Sequence, residues 1–280
     1  MKLSKRLELV LSFVKPVETA ADIGTDHAYV PVELVRRGTA KRAVAADVRK
    51  GPLLRAKESI ASAGLEHAID TRLSDGLAGF LAGEAGAVVI AGMGGELLLH
   101  IMEQGRHMWD TVTQWILSPQ SELYKVRKWL PANGFAIEKE GMVSEDGKYY
   151  TVMSVVRAGT VHDGCEADRG AGCTDTETIW NHAEGTGHEP DINAGCRDAG
   201  TDRLQAGNLR RREEEFYYGR YLIEAKDPVL LAYLREERGT LTRLKETLER
   251  QAQSSRRAVE RLAAVEKMLC YNQEVEDEML

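Results

Sequence analysis

The stretch Ala20-Ala-Asp22-Ile-Gly24-Thr-Asp26-His-Ala-Tyr29-Val-Pro31 decides the fold class of this chain. A run of apolar and small residues, which begins at Thr19, ends in an acid, a glycine and a second acid, and a helical pattern follows. That order is typical of a first parallel strand that leads into a cofactor loop. Gly24 allows a sharp turn and a close approach to a ligand, while Asp22 and Asp26 bring carboxylates to the same place. We therefore expect a ligand that carries positive charge and hydroxyl groups.

The loop lacks the pattern of a dinucleotide site. A Rossmann dinucleotide site needs Gly-x-Gly-x-x-Gly, because a pyrophosphate requires close, uncharged backbone donors at a helix N-terminus. Positions 24 to 29 read Gly-Thr-Asp-His-Ala-Tyr, so that only the first glycine is present. Two carboxylates suit S-adenosylmethionine, which carries a cationic sulfonium, an ammonium and ribose hydroxyls. They suit an anionic pyrophosphate less well. We expect this compound as the cofactor.

Acids follow the next two strand-like runs as well. The run 42–48 reaches Asp47, about twenty residues beyond the first loop, where a carboxylate accepts hydrogen bonds from ribose hydroxyls. The run 69–75 ends in Ser74-Asp75-Gly76, where the Asp75 carboxylate can accept from an adenine amino group. Each acid alone fits a helix cap or a solvated turn better than a binding role. Their occurrence at successive strand ends favours a cofactor site.

A glycine-rich loop follows the fourth strand-like run. Residues 87–90 are apolar, and Ala91-Gly92-Met93-Gly94-Gly95 comes directly after them. Because glycines leave little side-chain bulk, a flat base can approach the cofactor at such a loop. We therefore expect the acceptor base near Gly94 and Gly95.

The remaining pattern predicts an α/β fold with a mainly parallel sheet. Helical stretches alternate with the strands, as βαβ units require; they cover 28–37, 52–63, 96–104 and 123–130. A fifth strand at 114–117 is closed by Ser118-Pro119. The runs 135–143 and 149–157 flank Asp146-Gly147, which predicts an antiparallel hairpin. Five parallel strands with a terminal antiparallel hairpin are the plan of the Rossmann-like class I methyltransferase sheet.

The chain beyond residue 157 divides into an insert and a helical domain. Residues 158–212 are rich in Gly, Asp, Thr and Ala and have hardly any apolar periodicity, which predicts a flexible low-complexity insert. Its cysteines and histidines lack the spacing of structural zinc sites, so we expect no metal. They are Cys165, Cys173, Cys196, His162, His182 and His188. We predict domains at 1–157, 158–212 and 213–280.

The C-terminal domain has the apolar spacing of a coiled-coil seam. The seam residues are Leu241, Leu244, Leu248, Ala258, Leu262, Val265 and Leu269. The seam weakens between Gln251 and Ser255, so the chain forms either one long helix or an αα-hairpin. We expect the hairpin, because each half buries its stripe only against the other. Such a hairpin could brace a nucleic acid or join two copies of the chain.

Composition and charge set the remaining limits. The chain has 280 residues, of which 43% are hydrophobic, enough for a sizeable core, and a formal net charge of −7. An acidic chain can still bind RNA where basic residues cluster, since phosphate contacts depend on local patches. The candidates are Lys2, Lys5 and Arg6; Arg36, Arg37, Lys41 and Arg42; Lys125, Arg127 and Lys128; and Arg235, Arg238, Arg243, Arg256, Arg257 and Arg261 on the helical domain. We see no signal peptide or transmembrane run and expect a cytoplasmic protein without membrane contact.

Several motifs together resemble one family. The start Lys2-Leu-Ser-Lys-Arg-Leu7, the Asp22 loop, Ser74-Asp-Gly-Leu77, Ile90-Ala-Gly-Met-Gly-Gly95 and Glu145-Asp-Gly-Lys148 are similar to the bacterial tRNA (adenine-22-N1)-methyltransferases, the TrmK family. The match covers residues 2–157 and resumes from about 213. The resemblance implies S-adenosylmethionine as donor, tRNA as acceptor, and N1 of an adenine in the D-arm as target. It implies no obligate protein partner.

The candidate site residues follow from the strand ends and from this resemblance. We predict Asp26 as the catalytic residue. The predicted cofactor contacts are Asp22, Gly24, Thr25, His27, Asp47, Val48, Ser74, Asp75, Gly76, Ala91, Gly92 and Met93. The predicted substrate contacts are Tyr29, Gly94, Gly95, Ser118, Pro119 and Gln120. The family usually has Leu-Gln-Pro-Asn after the fifth strand, whereas this chain has Leu117-Ser118-Pro119-Gln120, so that Gln120 is left to supply an amide.

Two other functions remain open from the sequence. One is a methyltransferase of the same fold that acts on another RNA position, on DNA or on a small molecule, since the fold does not fix the acceptor. The other is a non-enzymatic RNA-binding scaffold with a vestigial donor pocket. The four acids at the strand ends argue against the scaffold.

Overall fold

A seven-stranded mixed sheet forms the centre of the computed structural model, which describes residues 3–158, 212–252 and 255–280. The strands are β1 (Val17–Ile23), β2 (Ala40–Asp47), β3 (Ile69–Leu73), β4 (Ala87–Ala91), β5 (Gln114–Ser118), β6 (Phe135–Glu145) and β7 (Lys148–Arg157). Their spatial order is β3-β2-β1-β4-β5-β7-β6. The first five are parallel, and β7 runs antiparallel to both β5 and β6. The predicted methyltransferase sheet is confirmed.

Helices cover both faces of this sheet. They are α1 (Lys5–Phe13), α2 (Tyr29–Arg36), α3 (Lys50–Ala63), α4 (Gly95–Gln104) and α5 (Leu123–Ala132). Parallel strands covered on both faces become continuous apolar runs, and Val88, Val89 and Ile90 of β4 are fully buried. Since β1 to β5 all point the same way, their carboxyl ends meet at one edge of the sheet.

The C-terminal helices form an αα-hairpin on a short helical base. They are α6 (Glu213–Tyr218), α7 (Arg220–Glu224), α8 (Pro228–Ala252) and α9 (Arg256–Met279). Leu248 of α8 packs against Ala258 and Val265 of α9, together with the other predicted seam residues. The predicted hairpin is therefore confirmed. The described residues form one compact unit, and the three predicted domain boundaries stay a prediction.

A buried ion pair joins α5 to β6 and contacts the base of the hairpin at α6. The Arg127 Nε donates to the Glu140 carboxylate at 2.7 Å, and both side chains are almost fully buried. The Arg127 guanidinium also donates to the Tyr217 carbonyl at 2.7 Å. Gly219, at φ 91°, lies directly against this pair. A side chain would not fit at this position, because its Cβ would lie 2.6 Å from the Glu140 carboxylate. This junction holds α6 and α7 on the methyltransferase sheet.

Within the described ranges, no helix is long and apolar enough to cross a membrane. No group of three or more His, Cys, Asp or Glu side chains among these residues is placed to hold a metal. The predicted insert, with its cysteines and histidines, lies outside the described residues apart from Ala158 and Arg212.

Candidate active site

A cleft of about 310 Å³ opens at the carboxyl edge of the parallel strands. Three segments meet there: the loop after β1, the loop after β4, and the segment after β5. Its walls include Arg6, Leu7, Asp22, Gly24, Asp26, Tyr29, Val30, Ala91, Gly92 and Gln120. Seven of these ten residues were predicted as site residues.

Asp22 is the buried acid of the cleft. It lies at the end of β1 with 8% of its surface exposed. Burial raises the pKa of Asp22 to about 6, the Asp47 carboxylate adds to the rise, and the Thr25 hydroxyl opposes it. The Thr25 hydroxyl is itself buried, close enough to Asp22 to lower its pKa, but it makes no hydrogen bond of regular geometry in the described part of the chain. A buried carboxylate beside a buried hydroxyl can receive a cationic, hydrogen-bonding ligand.

The loop after β1 turns by left-handed backbone at three residues. Gly24 has φ 77°, and His27 and Ala28 have φ 60° and 52°. The positive φ favours glycine at position 24, and a Cβ there would lie 2.7 Å from the methyl group of Met93, which would have to move. The His27 ring stacks on Tyr29 at 5.3 Å between centroids. Tyr29 lines the cleft, and the loop turns where α2 begins.

Asp26 is the exposed acid of the cleft. Its carboxylate accepts a hydrogen bond from Arg55 of α3 at 2.8 Å, and the His27 Nε2 lies 3.7 Å from the same oxygen. More than half of the Asp26 side chain remains exposed. The carboxylate is thus held in position and accessible. The sequence did not predict Arg55, because its only signal was a basic residue in the second turn of α3.

The acids after β2 and β3 occupy the same sheet edge but do not line the cleft wall. Asp47 is buried and accepts from the Arg49 amide at 2.7 Å, which places its carboxylate at the start of α3. Val48 next to it is 58% exposed. Ser74 closes the turn after β3: its hydroxyl donates to the Gly76 carbonyl and accepts from the Gly79 amide. Asp75 is exposed beside it. Their roles as cofactor contacts stay predictions.

The glycines after β4 serve two different ends. Gly92, at φ 86°, lines the cleft, and its nearest potential Cβ neighbour is the Arg6 guanidinium at 3.4 Å. Gly95 is buried, and a Cβ there would lie 2.7 Å from the Ser121 carbonyl. Gly94 similarly faces the Ser121 hydroxyl. The Gly95 amide donates to Glu122 at 3.1 Å. Gly94 and Gly95 are therefore small because α5 packs there, and their predicted contact with the acceptor base stays a prediction.

The segment after β5 places Gln120 in the cleft. Ser118 and Pro119 are buried, and the Ser118 carbonyl accepts from the Gly92 amide at 3.2 Å. The backbone N–H of Gln120 donates to the Met93 carbonyl at 2.9 Å, which connects the two loops. Gln120 is exposed at the cleft wall. The predicted contact of the Gln120 side-chain amide with the target base stays a prediction.

Helix α1 closes the cleft from the side. The Ser4 hydroxyl accepts from the Leu7 amide as an N-cap, and the Lys5 amide donates to Glu145 of the β6–β7 hairpin at 2.7 Å. Val10, Leu11 and Phe13 bury the inner face. Arg6 and Leu7 reach the cleft wall. The helix therefore serves both as a core helix and as a cover. Arg6 was not predicted to line the cleft, because in the sequence it is recognisable only as part of a basic cluster.

Comparisons with known proteins agree with this geometry. The methyltransferase domain family matches residues 3–153. The tRNA (adenine(22)-N(1))-methyltransferase of Bacillus subtilis is 39% identical over 173 residues, which are 61% of this chain and 72% of that protein. The chain belongs to the tRNA (adenine(22)-N(1))-methyltransferase family.

Solved members of the tRNA (adenine(22)-N(1))-methyltransferase family share the whole architecture. The crystal structure of the Bacillus subtilis m1A22 tRNA methyltransferase TrmK matches with a TM-score of 0.71 and 29% identity over 98% of this chain and 99% of that chain. A Streptococcus pneumoniae protein, crystallised in complex with S-adenosyl-L-methionine, matches with a TM-score of 0.69 and 28% identity over 98% of this chain and 100% of that one. The coverage includes the C-terminal helices.

Proposed function

We propose that this protein transfers a methyl group from S-adenosylmethionine to N1 of adenine 22 in tRNA. The observation that carries the proposal is the cleft at the end of β1. There a buried acid, Asp22, and an exposed acid, Asp26, stand on either side of Gly24. The family to which the chain belongs acts at this tRNA position, as the name of its Bacillus subtilis relative states.

The residues at the strand ends fit the donor. S-adenosylmethionine supplies an electrophilic methyl group on a sulfonium, next to an ammonium and a ribose. Asp22 offers a buried carboxylate to the positive charge, and the Thr25 hydroxyl offers a buried hydrogen-bonding group beside it. Asp47 and Asp75, at the ends of the next two strands, would accept from ribose and adenine. A relative that shares the fold over its full length was crystallised with this compound.

The exposed side of the cleft fits an extruded base. N1 lies on the pairing edge of adenine, so the base must leave its stack before it can react. Tyr29 offers a ring on which it can stack, and Gln120 offers an amide for its hydrogen bonds. Arg6 adds positive charge at the same wall, where the RNA backbone would arrive.

Asp26 is the residue to which we assign the chemistry. Methylation at N1 makes the base cationic, and a carboxylate nearby stabilises that charge as it develops. Asp26 can also take a proton from the exocyclic amine. Arg55 holds the carboxylate in position. The protein forms no covalent bond to the base; it aligns N1 with the methyl group. An acceptor of this kind would place the protein in the cytoplasm.

The first experiment uses two tRNA transcripts. The purified protein is incubated with labelled S-adenosylmethionine and a bacterial tRNA with A22, and in parallel with the same tRNA with G22. We expect label on the first only, released as 1-methyladenosine. Label on both transcripts would retain the methyltransferase class but reject position 22. Label on neither, with donor binding intact, would reject the tRNA substrate.

A further inference from the structure

A second, larger cavity lies between the β6–β7 hairpin and the C-terminal helices. It has a volume of about 500 Å³, within the range of small-ligand pockets. Five tyrosines contribute to its walls, two from β7, two from α6 and one from α8. They are Tyr149, Tyr150, Tyr217, Tyr218 and Tyr233. We call this space the tyrosine cavity. Neither the donor nor the target base accounts for it, because its walls and those of the cleft have only Gln120 in common.

The tyrosine cavity adjoins the cleft at two points. Gln120 lines both spaces. Arg6 lines the cleft, and its guanidinium lies 5.3 Å from the centroid of the Tyr150 ring, which lines the tyrosine cavity. An RNA chain whose target base enters the cleft therefore passes next to the tyrosine cavity.

Hydrogen bonds hold three of the five tyrosines in place before any ligand arrives. Tyr149 donates its hydroxyl hydrogen bond to Glu236 at 2.9 Å, and its ring meets Tyr233 edge-on at 5.2 Å. Tyr218 and Tyr233 both donate to Glu237, at 2.8 and 2.7 Å. With these three hydroxyls engaged, this part of the wall offers aromatic surface at little further cost in conformational entropy.

One cation at the tyrosine cavity can contact a phosphate. Lys148 lines the cavity, is exposed, and forms no ion pair within the described ranges. Arg127 is paired with Glu140, and the Glu236 and Glu237 carboxylates, which accept from the tyrosines, do not line the cavity. An aromatic enclosure with one free cation suits a flat base attached to a phosphate.

We propose that the tyrosine cavity binds the base of a nucleotide that directly neighbours the methylated adenosine in the RNA chain. Lys148 contacts the phosphate of this nucleotide. This inference rests on the proposed function. The target base must reach Asp22 and Asp26 in the cleft, so the adjoining space is available to the next base along the chain. By holding that neighbour, the protein keeps the target nucleotide out of its stack.

The test combines protein variants with altered tRNA. Tyr150→Leu removes the ring, and Tyr150→Phe is the matched control that keeps it. Tyr217→Leu with Tyr217→Phe repeats the pair on the helical side, should Tyr150→Leu not fold. Binding to the A22 tRNA transcript is measured by fluorescence anisotropy, and binding of S-adenosylmethionine by calorimetry. Each protein is also tested with transcripts that carry an abasic site at position 21, 22 or 23.

We expect Tyr150→Leu to weaken tRNA binding about 5- to 150-fold, as lost stacking on one base implies. Donor affinity should stay within twofold, and Tyr150→Phe should match the wild type. With the abasic site at position 21 or at position 23, the difference between wild type and Tyr150→Leu should vanish, because the two changes remove the same contact.

An undiminished difference with both neighbouring abasic sites would overturn the proposal. So would a difference that vanishes only for the site at position 22, since the cavity would then hold the target base. These outcomes are separate from failure of the proposed function, which shows as a wild-type protein that does not methylate the A22 transcript.

Discussion

At the scale of the residue, the burial of Asp22 links proton and ligand binding. Its pKa in the folded protein is about 6, against an ordinary value of 3.8. The folded state therefore binds more protons than the unfolded state between these values, and the stability contributed by this group falls as the pH rises from about 4 to 6. A cationic ligand has the opposite preference, because it needs the ionised carboxylate.

We predict that S-adenosylmethionine binds more weakly as the pH falls from 7 to 5, by up to tenfold per pH unit below about 6. Asp22→Asn should lower the affinity and flatten this profile. The control is Asp70→Asn, at an exposed acid paired with Arg42, which should keep the wild-type profile. Calorimetric titrations at several pH values measure the effect. A wild-type slope in Asp22→Asn would assign the pH dependence to another group.

For Asp26 we predict a loss of turnover without a loss of donor binding. Asp26→Ala should lower kcat by about 10²- to 10⁴-fold, as removal of a general base does, while donor affinity stays within a few-fold. Arg55→Gln is the control, since it removes the main partner of Asp26 and keeps the carboxylate. It should cost much less. Equal losses in the two variants would show that the ion pair, and not the carboxylate, is what matters.

The sequence predicted the acids of the cleft but not their surroundings. Asp22 and Asp26 stand at the end of a recognisable strand, and that position alone indicates a ligand loop. Arg6 lines the cleft, and Arg55 donates to Asp26. They are 20 and 29 residues away from Asp26 in the chain, and no local sequence pattern marks either of them. The left-handed backbone at His27 and Ala28 is equally hidden, because residues other than glycine adopt it only where tertiary contacts impose it.

At the scale of the element, the seven strands and helices α2 to α5 were predicted to within a few residues, because apolar runs and the Asp146-Gly147 turn mark them directly. The junction of α5 with α6 and α7 was not. Its members, Arg127, Glu140 and Gly219, are far apart in the chain and carry no common pattern. The tyrosine cavity escaped for the same reason, since β7, α6 and α8 each contribute only part of it.

The Arg127–Glu140 pair should be the most sensitive ion pair of the molecule's described part. We predict that Arg127→Met lowers the free energy of unfolding by about 3–5 kcal/mol, because Glu140 is left buried and unpaired. The double variant Arg127→Met/Glu140→Leu should regain most of this loss. Glu138 lies on β6 like Glu140 but pairs with Lys15 at the surface. Lys15→Met removes this exposed partner and should lower the free energy of unfolding by less than about 1 kcal/mol. Denaturant unfolding measures all three, and a double variant no more stable than Arg127→Met would contradict the explanation.

At the scale of the whole molecule, ion pairing decides which basic residues can meet RNA. Most of the predicted basic clusters are engaged within the protein: Arg37 with Glu8, Lys41 with Glu18, and Lys125 with Glu96. Lys5 and Lys148, by contrast, lie near the tip of the β6–β7 hairpin and form no ion pair with other described residues. Lys5 directly precedes the cleft residue Arg6, and Lys148 lines the tyrosine cavity, so both are placed to meet RNA at these two spaces.

We predict that tRNA affinity falls with salt and that donor affinity changes little. Lys5→Ala and Lys148→Ala should each lower the slope of log K against log salt by about 1. Lys41→Ala, at the amino end of β2 and paired with Glu18, is the control and should leave the slope unchanged. Equal slopes in all three variants would place the RNA on another surface.

The junction between α5 and the C-terminal helices also limits how this protein can diverge. A side chain at position 219 would meet Glu140 and Arg127 at once, and loss of either charge would leave the other buried. Loss of one charge is therefore tolerated only with loss of the other, so lineages that alter Arg127 should also alter Glu140. The exposed positions of α8 and α9 face no such restriction and are free to drift. A family tree built on this chain should record the junction as a block inherited intact.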